Sequence, residues 1–131
     1  MSQPTNSLSP AQGIHILLLE EDENLRRSLH LKLRGHGFEV GSYSAAGLLL
    51  ADARILSAEI LIADYQLHGT DGITTLHALR DIGWRGHALL IAATPSIVLR
   101  EAAAAAGYHA VLEKPLRPNE LVRAITSLRA P

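Results

Sequence analysis

Three carboxylates and one lysine carry most of the chemistry this sequence can offer. Ile60-Leu61-Ile62-Ala63 runs straight into Asp64, followed by a polar, glycine-bearing loop, His68-Gly69-Thr70-Asp71-Gly72. Ile14-His15-Ile16-Leu17-Leu18-Leu19 runs into Glu20-Glu21 in the same way, and His109-Ala110-Val111-Leu112 leads to Lys114-Pro115. A lone aspartate after an apolar run ordinarily caps a helix or makes a turn, and a lone Lys-Pro pair ordinarily marks a surface turn. Gathered at one edge, however, these groups are complementary. Three crowded carboxylates repel one another and are tolerable only around a cation. Mg²⁺, hard and octahedral, is the natural choice. Lys114, one of two lysines in the chain, can aim an ammonium at an anion on Asp64. The combination suits phosphoryl transfer, with Asp64 as nucleophile, the metal bridging carboxylate and phosphoryl oxygens, and the lysine neutralising a third oxygen.

These groups meet only if the fold brings their strands together. Short apolar runs bounded by turn signals read as buried parallel strands: Ile14 to Leu19, Phe38 to Val40, Ile60 to Asp64, Ala88 to Ala92 and His109 to Leu112. Between them the spacing predicts helices. Leu25, Leu29 and Leu33 recur at four-residue steps over Asn24 to Arg34, which Gly35-His36-Gly37 stops. Ser44 is placed as N-cap of a helix from Ala45 to about Ala53. Gly72 to Ile82 carries Ile73, Leu76 and Leu79 inward and ends at Gly83. Thr94-Pro95 reads as cap and first helical position of a fourth helix, which Ala102 to Ala106 carry to Gly107. Pro118 opens a last helix ending near Arg129. Five strands alternating with five helices imply a doubly wound α/β domain. Its five-stranded parallel sheet takes the flavodoxin-like order 2-1-3-4-5, with the switch point between strands one and three. Glu20, Glu21, Asp64 and Lys114 then lie at its carboxyl edge.

Composition narrows the function. The chain has 131 residues, 47% hydrophobic and 19% charged, with a net charge of −1, enough for one domain with a real core. That charge gives no general attraction for nucleic acid or an anionic membrane. There is no cysteine, hence no disulfide or thiolate zinc site. No apolar run approaches the ~20 residues of a membrane span. Residues 1–13 are polar, lack a basic leader segment and are read as a flexible lead-in to a domain over 14–129 of a cytoplasmic protein. The seven histidines show no metal-ligand spacing and read as surface or edge residues. Arg26-Arg27 read as a solvated face, Trp84 as a loop residue half packed on the third helix, and Tyr108 as a loop or surface tyrosine. Ile97, Val98 and Leu99 are too many for one buried stripe, so one is expected to be exposed.

Leu17-Leu18-Leu19-Glu20-Glu21-Asp22-Glu23-Asn24-Leu25-Arg26, Ile62-Ala63-Asp64 with Asp71-Gly72, and Gly107 through Lys114-Pro115 together resemble a response-regulator receiver domain of two-component signalling. The resemblance implies Asp64 as phosphoacceptor, Glu20-Glu21 as the acidic pair, a Gln66 backbone carbonyl on the metal, and Lys114 on the phosphoryl group, its bond to Pro115 cis. It implies phosphoryl transfer from a histidine kinase or phosphotransfer protein, and a phosphoacceptor domain in place of a turning-over enzyme. The residue expected to be exposed among Ile97, Val98 and Leu99 is read as part of a homodimer or partner face made by the fourth helix with the fifth strand and fifth helix. The chain would be a stand-alone regulator or a piece of a larger regulator or hybrid kinase.

The sequence departs from that family at several positions. The pair's second member, usually Asp, is Glu21, whose extra methylene is expected to push its carboxylate about 1.5 Å deeper into a site where Mg²⁺ demands near-ideal geometry. A one-residue shift would make the pair Glu21-Asp22, although the spacing to Leu25 and Arg26 favours Glu20-Glu21. Ala92 stands where the family has a switch Ser or Thr, with Thr94 two residues on, and Val111 stands at the switch aromatic. His68 replaces the loop proline four residues after the phosphoacceptor. These departures leave a second reading open, a phosphorylation-independent interaction or dimerisation module on the same fold. A phosphatase acting through an aspartyl-phosphate is disfavoured, since Gln66 occupies the second position of its Asp-x-Asp motif.

Overall fold

A computed structural model describes residues 13–128; the lead-in 1–12 and the expected helix end at Arg129 lie outside them. Five strands are each followed by a helix: β1 (His15–Leu19), α1 (Glu23–Gly35), β2 (Glu39–Tyr43), α2 (Ala46–Leu50), β3 (Ile60–Asp64), α3 (Gly72–Asp81), β4 (His87–Ala92), α4 (Ile97–Ala106), β5 (Ala110–Glu113) and α5 (Glu120–Leu128). All pairings within the five-stranded sheet are parallel, in the order β2-β1-β3-β4-β5.

The strand sequences explain the layering. Successive side chains of a strand point to opposite faces, so a strand buried on both sides is apolar throughout. Ile16 and Leu18 of β1 join Ile60, Ile62, Leu89, Ile91 and Leu112 in one core, closed by Leu29 and Leu33 of α1 and Leu121 and Ile125 of α5. Leu17 and Leu19 join Leu61, Ala63, Ala88 and Leu90 in the other, closed by Leu49, Leu76, Leu79 and Ala103 of α2, α3 and α4. The central strands are thus held from both faces, and their carboxyl ends are fixed.

Several element boundaries differ from expectation, each for a local reason. β2 runs to Tyr43, past the expected Val40, because its whole length pairs with β1, Leu19 opposite Tyr43. α2 is shorter than expected, and Ala45, not Ser44, stands at its cap without a side-chain bond. Asp52 then starts a 3₁₀ turn over Ala53–Ser57, its carboxylate accepting from the Arg54 amide. α4 starts two residues after Thr94-Pro95, since Ser96 is the cap, its hydroxyl accepting from the Leu99 amide at 3.0 Å. α5 starts at Glu120, not Pro118, after Asn119 takes a left-handed backbone (φ 64°). Trp84 is not half packed in a loop but 1% exposed, its indole N–H donating to the Ala58 carbonyl at 2.8 Å. Tyr108 is likewise buried, its hydroxyl donating to the Gly72 carbonyl at 2.6 Å. On α4, both Ile97 and Val98 are exposed, at 76% and 74%, where one exposed residue was expected.

Candidate functional site

Register brings the site together. β1 pairs with β3 through Leu19 opposite Ala63, so Glu20 and Asp64 leave the sheet side by side. β4 pairs with β5 through Ala92 opposite Glu113, and the Lys114 amide continues that ladder onto the Ala92 carbonyl at 2.9 Å. Lys114 then precedes a cis bond to Pro115. Its ammonium donates to Asp64 Oδ2 at 2.9 Å and lies 3.2 Å from Glu20 Oε1.

The pocket's electrostatics follow from burial. Glu20 is 2% exposed and Asp64 7%. Burial lifts the Glu20 carboxyl above its usual range and the Asp64 charge adds to this, while the Asp22 amide and the Lys114 ammonium pull it back. Burial works against the Lys114 ammonium, but its hydrogen bond to Asp64 and the charges of Glu20 and Asp64 outweigh that and raise its pKa. One oxygen of Glu20 accepts from the Asp22 amide at 3.0 Å. The other, Oε1, is buried without a hydrogen bond and meets Lys114 only as a charge.

Glu21 behaves differently from its expected role. Its carboxylate does not push deeper beside Asp64; it reaches across to the β3–α3 loop. There Oε2 accepts from the His68 backbone N–H and Oε1 lies 3.7 Å from His68 Nδ1. Asp22 is not part of the acidic pair either, because it caps α1 by accepting from the Leu25 amide at 2.9 Å. Arg26 is not merely solvated: its guanidinium donates to the carbonyls of Glu20 at 3.0 Å and Glu21 at 3.1 Å, fixing the turn after β1.

The loop carries a feature the sequence reading missed. Gln66–Leu67 and Thr70–Asp71 form a two-residue antiparallel ladder around His68-Gly69, with Gly69 at φ +74°. A two-residue turn with glycine second is a hairpin signal, and it was present in the sequence. Gly72 follows, closely backed: a Cβ there would lie 2.7 Å from the Asp64 carbonyl oxygen and 2.6 Å from Leu90 Cδ1. Asp71 caps α3 through the Thr74 amide at 2.7 Å.

Glu21, Asp64, Gln66, His68 and Lys114 line one open pocket. Ala92 is buried at the end of β4 and Val111 half-buried on β5, so neither place offers a hydroxyl or a ring. Thr94 is exposed and lines a cavity of about 260 Å³ behind α4 with Tyr65, Ala92, Ser96 and Val98. His87 and His109 meet at 3.3 Å, Nδ1 to Nε2, at the opposite, amino end of β4 and β5.

The arrangement bears on a divalent cation in two opposing ways. The donors are oxygen, and the orphaned Glu20 Oε1 is the kind of atom a cation would satisfy. Yet Glu20 and Asp64 share one ammonium and Glu21 is tied to a loop amide. Among the described residues no three carboxylates or imidazoles form a metal-holding group. As arranged, the residues do not fit the ion.

The fold that gathers these groups has close parallels in known proteins. The family model "response regulator receiver domain" matches residues 16–126. The DNA-binding response regulator MtrA of Mycolicibacterium smegmatis is 30% identical over 109 residues, which are 82% of this chain and 46% of that protein. This chain thus spans about half the length of the curated relatives it matches. Among solved structures, Vibrio cholerae chemotaxis protein CheY4 superposes with a TM-score of 0.81 at 20% identity, over 87% of this chain and 97% of that one. The receiver domain of Saccharomyces cerevisiae Ssk1, crystallised with the histidine phosphotransfer signalling protein Ypd1, superposes at 0.76 with 19% identity, over 86% of each chain. Among the described residues no helix is long and apolar enough to cross a membrane. With the family model matching most of its length, the chain belongs to the response regulator receiver domains of two-component signalling.

Proposed function

We propose that Asp64 accepts a phosphoryl group from the phosphohistidine of a histidine kinase or a histidine phosphotransfer protein. The observation that carries this reading is the Lys114 ammonium, 2.9 Å from Asp64 Oδ2 in a pocket open to a partner. In the transfer an Asp64 oxygen bonds to phosphorus as the P–N bond breaks. The imidazole leaves with the electron pair and takes up a proton, and the product is an acyl phosphate. Lys114 neutralises charge on the transferring group, and Arg26 holds the Glu20-Glu21 turn in place beside it. The domain is a phosphoacceptor and not a turning-over enzyme. The Ssk1 receiver seated on a histidine phosphotransfer protein supports that class of partner.

Mg²⁺ is the cation this reading expects; the residues as arranged do not hold it, and Glu20, Glu21, Asp64 and the Gln66 carbonyl would serve as donors only once Glu21 leaves His68. DNA binding, named for the MtrA relatives, would belong to a further part of the protein, since this domain carries a net charge of −1. A cytoplasmic location follows from the kinase chemistry. Exposed Ile97 and Val98 favour α4, with β5 and α5, as the homodimer or partner face. The absence of a hydroxyl at Ala92 and of a ring at Val111 favours a second reading, an interaction module that works without phosphorylation.

Intact mass after incubation with acetyl phosphate, with and without Mg²⁺, tests the choice beside an Asp64→Asn control. Gain of one phosphoryl group, absent in the control, is the expected result. No gain in either condition rejects the phosphoacceptor and leaves the interaction module.

A further inference from the structure

Two departures from the family pattern touch each other. Glu21 is one methylene longer than the aspartate of other receivers, and its carboxylate reaches the backbone N–H of His68, 47 positions along the chain. That N–H exists because residue 68 is not proline; a proline there has no amide hydrogen to give. Meanwhile Asp64 and Glu20 already share the Lys114 ammonium, so the pocket's remaining negative charge is partly answered from within.

We propose that Glu21 is a positioning residue, a loop anchor in place of a metal ligand, and that its bond to the His68 N–H competes with divalent-cation binding at the pocket. The anchor holds the hairpin of Gln66–Leu67 and Thr70–Asp71 against the end of β1. It acts where the loop needs it, because His68 is itself exposed and the hairpin has only two rungs. A carboxylate accepting a backbone N–H has a charge-assisted bond to give up. A cation that recruits Glu21 must therefore break it, whereas an aspartate at 21, too short to span the gap, is free for the ion. The consequence is a receiver whose acidic pocket takes Mg²⁺ weakly and whose loop loosens when it does.

This inference deepens the phosphoacceptor reading of the same pocket, but its test uses no phosphoryl donor, so failure of one is distinguishable from failure of the other. The full chain, labelled with ¹⁵N, is titrated with Mg²⁺ and its amide exchange measured without metal, for the wild type and for Glu21→Asp, Glu21→Ala and His68→Pro. Glu21→Asp and His68→Pro are expected to bind Mg²⁺ about tenfold more tightly than the wild type, a difference of about 1.4 kcal/mol. The His68 amide is expected to exchange several-fold faster in Glu21→Ala than in the wild type. Mg²⁺ affinity in the wild type equal to that of Glu21→Asp overturns the proposal. So does a His68 amide that exchanges equally fast in the wild type and Glu21→Ala. Should His68→Pro fail to fold, the two Glu21 variants decide the outcome alone.

Discussion

Replacing Lys114 by methionine keeps most of the side-chain volume and removes the cation that two buried carboxylates share. The ammonium lies 2.9 Å from Asp64 Oδ2 and 3.2 Å from Glu20 Oε1. At an effective dielectric constant of about 20, each contact amounts to about 5 kcal/mol of gross attraction. Most of this is offset by the desolvation of the lysine and, after its loss, by water entering an open pocket. Breaking a buried ion pair by removing one partner leaves a net loss of about 3–5 kcal/mol. With the Lys114 side chain 24% exposed, a loss at or just below the bottom of that range, about 2–3 kcal/mol at pH 7, is expected.

The pH dependence gives a second, sharper readout. Glu20 titrates above its ordinary 4.5 in the folded chain. A carboxyl with a raised folded pKa contributes most below its unfolded pKa, and that contribution is lost as pH rises through the folded one. Without the ammonium the folded pKa of Glu20 climbs further, and protonating Glu20 removes one of the two facing charges. The penalty of Lys114→Met is therefore largest at pH 7 and shrinks toward pH 5. Urea unfolding in EDTA, followed by the single tryptophan, Trp84 in its core, measures both quantities. A variant within about 0.5 kcal/mol of the wild type at pH 7, or a penalty equal at both pH values, refutes the reasoning.

Gly72→Ala would place a Cβ 2.7 Å from the Asp64 carbonyl oxygen and 2.6 Å from Leu90 Cδ1. The leucine can turn aside but the backbone cannot, so urea unfolding should show a loss of about 1–3 kcal/mol; an unchanged midpoint would mean the loop yields freely. At alkaline pH, burial and the hydrogen bond to Asp52 push the Tyr43 phenol up to about 12, and burial pushes Tyr108 higher still. Both contributions are complete below the unfolded phenol value of about 10 and are lost as pH rises through the folded values. Stability should fall between about pH 10 and 12 and fall less steeply in Tyr43→Phe, as followed by tyrosinate absorbance with urea unfolding.

Much of the fold was legible because buried parallel strands have little freedom. Ile60 to Asp64 reads as a strand from its apolar run, and the structure gives the same bounds. The places of Asp64 and Lys114 at the sheet's carboxyl edge were legible for the same reason, since the end of a strand places its residue whatever the side chain does. What escaped the sequence depended on partners far along the chain. Trp84 and Tyr108 carry polar handles that look like surface chemistry until Ala58 and Gly72, 26 and 36 positions away, accept from them. Ser96 and Thr94 are both good caps, and local chemistry alone does not choose between them. Glu21 is the sharpest case: its length was read as crowding a metal, while its true partner is a backbone N–H that side-chain spacing cannot reveal.

The same logic bears on how the pocket communicates with the rest of the domain. A group on Asp64 biases two states only through contacts that differ between them, and Ala92 and Val111 supply neither a hydroxyl nor a ring for such contacts. Tyr65 borders both the acidic pocket and the cavity of about 260 Å³ behind α4. Its backbone is clamped on both sides, the amide to the Ile91 carbonyl and the carbonyl to the Gly72 amide, each at 2.8 Å. The hairpin that follows is held at its tip by Glu21 and backed at its end by Gly72 against the Asp64 carbonyl. The segment from Tyr65 to Gly72 is therefore a contiguous piece of chain that touches Asp64, Glu21 and the cavity lined by the exposed Val98. On the proposed phosphoacceptor reading, contacts that differ with the state of Asp64 would fall in that loop, and the tie between Glu21 and His68 would bear on how easily it moves.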